Sequence, residues 1–158
     1  MSTRLSVILA VVTIASPSVS IAATAANSCE RVIRTYKQAV DWQERGLLEE
    51  VVWNDGYTQW PSQDRRPWSS VQPSGPHPKY RTYIRDFRWL ERGPTEEVIA
   101  TKEITLRVDT DGGYTGDYMV TKVRYTCLRR RGRWRIFGHE VQSREDLRNS
   151  SGEGFFLP

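Results

Sequence analysis

An α+β fold, with N-terminal helices packed against an antiparallel sheet, is what this sequence predicts. Three observations carry that expectation. Apolar residues recur at helical spacing from Val32 to Val40. From Tyr80 to Gln142 the chain alternates with a period of two, in four successive runs. The runs are separated by short turns, most of them bearing glycine, so neighbouring strands run antiparallel.

The 158-residue chain opens with one cation, Arg4, and an apolar run from Leu5 to Ala15. Small residues follow, and Ala23-Thr24-Ala25 fits an A-x-A cleavage site. This is the pattern of a secretory signal peptide over residues 1–25, and the apolar run is short for a bilayer span. An uncleaved anchor is the alternative. Cleavage predicts a periplasmic or secreted protein with no stable membrane insertion after processing. Residues 26–144 then suit a single α+β domain with one core. Residues 145–158 read as a polar tail ending in Phe155-Phe156-Leu157-Pro158. Of the 23 basic residues only Arg4 lies in the leader, against 19 acidic ones, so the domain is mildly basic. The charges are interspersed along the sequence, which argues against nucleic acid as a partner.

Cys29 and Cys127 are the two cysteines. In an exported protein they most simply form one disulfide, closing a loop of roughly a hundred residues, worth about 4 kcal/mol in the chain-entropy model. A catalytic thiol is the functional alternative, and no histidine stands in an obvious partner position.

Asn27, with Glu30 three residues on, resembles a capping box for the first helix. Its buried stripe is Val32, Ile33, Tyr36, Ala39 and Val40, while Arg31, Arg34, Lys37 and Gln38 take the other face. Gly46 ends it, and a short helix follows from Leu47 to Val52. A short strand around Tyr57 to Trp60 leads into a proline-rich connection, residues 61–78, flanked by Trp60 and Trp68. Strands follow over Tyr80–Glu91 and Glu96–Val108. The Asp109–Gly116 stretch has a superficial likeness to a calcium loop, but it lacks the twelfth-position glutamate and an entering helix, so it reads as a hairpin connection. The last hairpin runs from Asp117 to Gln142 around Arg131-Gly132.

This order, with the ending Leu128-Arg129-Arg130-Arg131-Gly132-Arg133-Trp134-Arg135-Ile136, resembles the nuclear transport factor 2-like superfamily. Tyr36-Lys37-Gln38-Ala39-Val40 followed by Leu47-Leu48 is similar to that family's first two helices. A cystatin-like helix-on-sheet arrangement is the nearest competitor. The resemblance implies a long helix lying in the cone of a curved sheet. It leaves activity open, because the family includes dehydratases, isomerases and cyclases beside non-enzymatic binding and assembly domains. Its enzymes commonly carry a pocket aspartate or a histidine–aspartate pair. Here His77 falls in the proline-rich connection, and strand parity turns His139 and Asp86 away from the core.

Parity also lays out an inner face in rows. Trp89, Val98, Cys127 and Ile136 form an apolar row, followed by Phe87, Ala100, Tyr125 and Gly138. Arg85, Lys102, Val123 and Glu140 come next, then Tyr83, Ile104, Thr121 and Gln142. A Lys102–Glu140 ion pair is the plain expectation for such a rung. A polar floor for a small anionic ligand is the functional one, with Arg85, Lys102, Glu140, Tyr83, Tyr125, Trp60 and Trp68 as binding residues. Ile84, Ile99, Val120, Phe137 and Val141 share the outward parity and form a candidate homodimer patch.

Two functions follow. One is an exported, non-enzymatic binding domain acting through a protein partner, such as a toxin-neutralising immunity protein or an envelope assembly factor. The other is a small-molecule lyase or isomerase, with Glu140 as base and Lys102 or Arg85 stabilising an oxyanion. No cofactor or metal motif is present.

Overall fold

The computed structural model describes residues 28–68, 79–109 and 112–148; His77 and the apolar end of the tail lie outside them. Helix α1 spans Cys29–Trp42 and α2 spans Arg45–Val51. The strands are β1 Val52–Gln59, β2 Arg66–Pro67, β3 Lys79–Arg92, β4 Glu96–Val108, β5 Tyr114–Arg130 and β6 Arg133–Arg148. They form one six-stranded sheet in the order β2-β1-β6-β5-β4-β3. Only the β1–β6 pairing is parallel, and α1 lies against one face of the sheet.

Helix α1 is held at each end by a local device. Its N-cap is Ser28, whose hydroxyl accepts from the Arg31 N–H, one residue later than the expected cap at Asn27. Its C-cap is Gln43 in the left-handed region (φ 56°), so the helix stops before Gly46, which lies inside α2. Val32, Ile33, Tyr36 and Ala39 are buried, as the periodicity predicts, and so is Cys29, whereas Val40, expected in the same stripe, is 38% exposed. Cys29 and Cys127 form the disulfide, fully buried, tying the start of α1 to the inner sheet face.

The β5–β6 turn has Arg131 and Gly132 both at positive φ, 51° and 78°, as a two-residue turn of this hand requires. Pairing then starts in the predicted register, Arg130 with Arg133 through Cys127 with Ile136. It slips by one residue at Phe137, so that Thr126 pairs with Gly138 and Tyr125 with His139, and slips again at Gln142. The β3–β4 ladder holds the predicted register from Tyr83↔Ile104 towards its start, then is bulged at Arg85 and Leu90. A bulge inserts one residue and swaps the faces beyond it.

The β4–β5 connection closes between Val108 and Tyr114, a five-residue loop tied by Asp109 N–H to the Gly113 carbonyl at 2.9 Å. Pairing is Val98↔Thr126, Ile99↔Tyr125, Thr101↔Val123 and Glu103↔Thr121. The expected rows placed β4 one residue out, which exchanges its two faces. The inner face is therefore built from Ile99, Thr101 and Glu103, with Glu103 fully buried, while Lys102 points outward and is exposed. Ile99 and Val141 join the core and Ile84 packs against it, so the outward apolar patch expected of a homodimer is broken up. Trp89, expected inside, is 38% exposed with the Arg92 guanidinium 5.2 Å over its ring. Strand β6 continues past residue 144 to Arg148, paired with Asp117.

Candidate functional site

Below the disulfide end, α1 and the sheet diverge and leave two adjoining cavities. One, about 560 Å³, is lined among others by Lys37, Asp41, Thr82, Thr121, Val123 and Arg144. The other, about 780 Å³, lies toward β1 and α2, with Leu48, Val52, Asn54, Thr58, Trp68 and Arg135 in its wall. Both share Tyr36, Val40, Trp60 and His139. Aromatic and aliphatic side chains make up about half of each wall, and polar and charged groups make up the rest. Concave sites that combine apolar surface with placed polar groups are where small molecules bind.

His139 is where the two cavities meet. The bulge at Phe137 turns its ring inward, correcting the expected outward parity, and only 5% of the residue is exposed. The imidazole lies among Tyr36, Trp68 and Tyr125, with ring centroids 5.7, 5.8 and 5.3 Å away. Its Nδ1 is 2.9 Å from the Thr58 hydroxyl, supplied by β1. Its Nε2 is buried without a hydrogen-bond partner among the described residues. Burial, and secondarily the Lys37 charge, hold its pKa well below the usual histidine range. At neutral pH it is an uncharged imidazole, and the Thr58 hydroxyl, which can donate or accept, serves either tautomer.

Behind it stands a buried polar network. The Glu103 carboxylate is 2.5 Å from Lys37 Nζ and accepts from the Tyr125 and Thr101 hydroxyls at 2.8 Å each. An internal ion pair was expected, but its members are Lys37 of α1 and Glu103 of β4. Burial, and then the Glu103 charge, push the Tyr125 phenol well up, so it stays a donor. At the end of α1, Asp41 accepts from the Thr82 N–H at 2.6 Å and the Thr82 hydroxyl at 2.8 Å, pinning β3 to the helix. Burial raises its pKa against the lowering effect of those bonds.

The binding residues expected from the sequence are dispersed. Trp60 and Trp68 do line the inner cavities, and Tyr125 is buried beside His139. Tyr83 is half-buried, with its hydroxyl 3.1 Å from that of Tyr114. Arg85 and Lys102 are exposed and line a groove that lacks every shared inner-cavity residue. Glu140 accepts from the Tyr57 hydroxyl at 2.6 Å and pairs with Arg65 at 3.1 Å, so it does not meet Lys102. That contact and burial push the Tyr57 phenol up to about 12, burial being the larger cause. Lys37, Asp41, Thr58, Glu103 and His139 were not singled out by parity. The Thr101, Glu103, Thr105 series, alternating with Ala100, Lys102 and Ile104, was the one signal that β4 has a charge on either face.

Trp68 is seated by a glycine. A Cβ on Gly56 would lie 2.4 Å from the Phe137 carbonyl oxygen and 2.8 Å from the Trp68 ring. Gly56→Ala should therefore displace Trp68, at a cost of about 1–3 kcal/mol. Tryptophan emission shifted to the red beside a lowered denaturation midpoint is the expected result. An unchanged spectrum would mean that the indole does not rest on Gly56.

No family model matches the chain, and no curated protein matches it. Solved structures do. The hub domain of CaMKII from S. rosetta aligns with a TM-score of 0.60 at 10% identity, over 77% of this chain and 96% of that one. LinA aligns at 0.59 and 13% identity, over 80% and 90%. A nuclear transport factor 2-like superfamily protein from Salmonella enterica serovar Typhimurium aligns at 0.57 and 14% identity, over 78% and 92%. At such identities the likeness is one of fold, and the same fold serves many unrelated functions. Two helices against a curved, mostly antiparallel six-stranded sheet, in the architecture of these neighbours, give this chain the nuclear transport factor 2-like fold.

Proposed function

We propose that the chain is an exported small-molecule-binding domain whose ligand occupies the cavities around His139. The observation that carries this is the buried imidazole whose Nε2 has no partner among the described residues, in a wall shared by both cavities. A buried polar atom left unpaired costs about 1–3 kcal/mol, so native proteins keep few of them. A ligand group that hydrogen-bonds to Nε2 would remove that cost. Tyr36, Trp60 and Trp68 offer aromatic surface for a flat apolar body. Of the cations in the walls, Lys37, Arg45 and Arg144 are matched by Glu103, Glu49 and Asp146, which favours an uncharged ligand over the anion expected from the sequence. The disulfide and the leader pattern support export.

The lyase or isomerase reading rests on the same imidazole. Burial keeps His139 neutral, so it can accept a hydrogen bond from a bound ligand in the role the sequence had given to Glu140. The same burial disfavours the imidazolium that full proton abstraction would form. A protein partner is favoured by one feature, Trp42, 68% exposed at the end of α1.

The test pairs His139→Phe with Thr58→Val, which removes both hydrogen-bonding partners together and leaves an apolar wall. A panel of small aromatic alcohols, ketones and lactones is screened by thermal shift and tryptophan fluorescence. The unaltered protein should be stabilised by a subset of them. The double variant should melt within a few degrees of it and lose at least tenfold in affinity. Equal affinity in the double variant would remove His139 from the site.

A further inference from the structure

The opposite face of the sheet carries its own concavity, a groove of about 790 Å³ across β3, β4, β5 and β6. Six charged side chains line it, five of them cations: Arg85, Arg88, Lys102, Lys122 and Arg124, with Asp86 as the carboxylate. Two rungs of the sheet place them. In one, Asp86, Lys102 and Lys122 stand side by side; in the next, Arg88 and Arg124 flank Ala100.

Lys102 and Lys122 are direct cross-strand partners, both exposed, and neither forms an ion pair with any described residue. Asp86 is directly opposite Lys102, on the side away from Lys122, without a salt bridge to it. Arg124 reaches Glu91 only at 3.9 Å. Like charges directly opposite one another weaken an antiparallel pair. An anion seated between the two ammonium groups would reverse the sign of that interaction.

We propose that this groove binds a multiply charged oxyanion of the phosphate class, bridged by Lys102 and Lys122. The ammonium groups are compact point charges on adjacent strands, suited to one centre carrying more than one negative charge. The guanidinium groups of Arg88 and Arg124 stand to either side of Ala100, whose methyl leaves room between them. Their forks match phosphate oxygens two at a time. A free phosphate compound and a phospholipid headgroup present the same chemistry to this site. Because the groove is on the other face from His139, its test is independent of the inner-cavity reading.

The disulfide-bonded protein is melted at low ionic strength with inorganic pyrophosphate, against sodium chloride at matched ionic strength. Its midpoint should rise with pyrophosphate, by about 5 °C near saturation. Lys102→Gln with Lys122→Gln should abolish that rise. Without pyrophosphate, the same double variant should melt about 2 °C higher than the parent, through relief of the like-charge pair. Co-sedimentation is then measured with phosphatidylcholine vesicles, with and without phosphatidylglycerol. Pyrophosphate stabilisation without sedimentation assigns a free anion. Sedimentation on phosphatidylglycerol that the double variant loses assigns a headgroup. An equal pyrophosphate rise in the double variant overturns the proposal, as does the absence of both pyrophosphate stabilisation and vesicle binding in the parent.

Discussion

Replacing Glu103 by leucine is expected to destabilise the fold by about 3–5 kcal/mol, enough to unfold a marginal domain of this size. The carboxylate is fully buried and serves three donors at once: Lys37, Tyr125 and Thr101. Leucine leaves two hydroxyls and an ammonium group without it. Glu103→Gln should cost less, because the amide oxygen can still accept from the hydroxyls and only the ammonium group loses its partner. Adding Lys37→Met to Glu103→Gln removes that stranded charge and should recover most of the loss. Urea denaturation of the two singles and the double measures the coupling. Simple additivity would show that the helix lysine and the strand carboxylate do not interact. The same cycle on Lys102 and Glu140, the pair expected from parity, should be additive, since Glu140 is engaged by Tyr57 and Arg65 on the other side of β6.

Loss of the disulfide is the second large effect. Cys29 and Cys127 are 98 residues apart in sequence and both fully buried. Closing a loop of that size restricts the unfolded chain by about 4–5 kcal/mol, although measured values for native disulfides spread over about 2–5. The Cys29→Ala, Cys127→Ala protein should lose about that much in chemical denaturation. The tie joins the first residue of α1 to the rung of Cys127 and Ile136, so α1 is the element it holds closest to the sheet. Amides of α1 should accordingly show the largest gain in hydrogen exchange in the variant. Two free thiols found by alkylation and mass spectrometry of the non-reduced exported protein would remove the basis of this prediction.

Both effects involve residues on the inner face, but only one of the two was legible beforehand. Cys127 follows Val123 and Tyr125 in an alternating run beside a tight turn, and the first residues after a tight turn keep the register the turn imposes. Its inward direction, and its pairing with the cysteine that opens the helix, could therefore be read from local pattern. The helical stripe of Val32, Ile33, Tyr36 and Ala39, the Arg131-Gly132 turn and the Glu96–Val108 strand were legible for the same reason. Each depends on spacing over a few residues.

Glu103, Lys37 and His139 depended on something else. Which face of β4 is buried is set by the five-residue closure between Val108 and Tyr114, and by how Leu106 and Tyr118 then pair. Which way His139 points is set by one extra residue at Phe137. In a sheet a shift of one residue exchanges every side chain between the faces, while the alternation itself looks the same from either side. Runs such as Ile99 to Leu106, with apolar and polar residues at both parities, satisfy either choice locally. What the sequence by itself determined was the fold class, its elements, the tight hairpin and the disulfide, because these arise from local periodicity and from two cysteines with no other partner. Only the tertiary structure decided the occupants of the concave face, because bulges and loop closure are settled by packing across four strands and a helix at once.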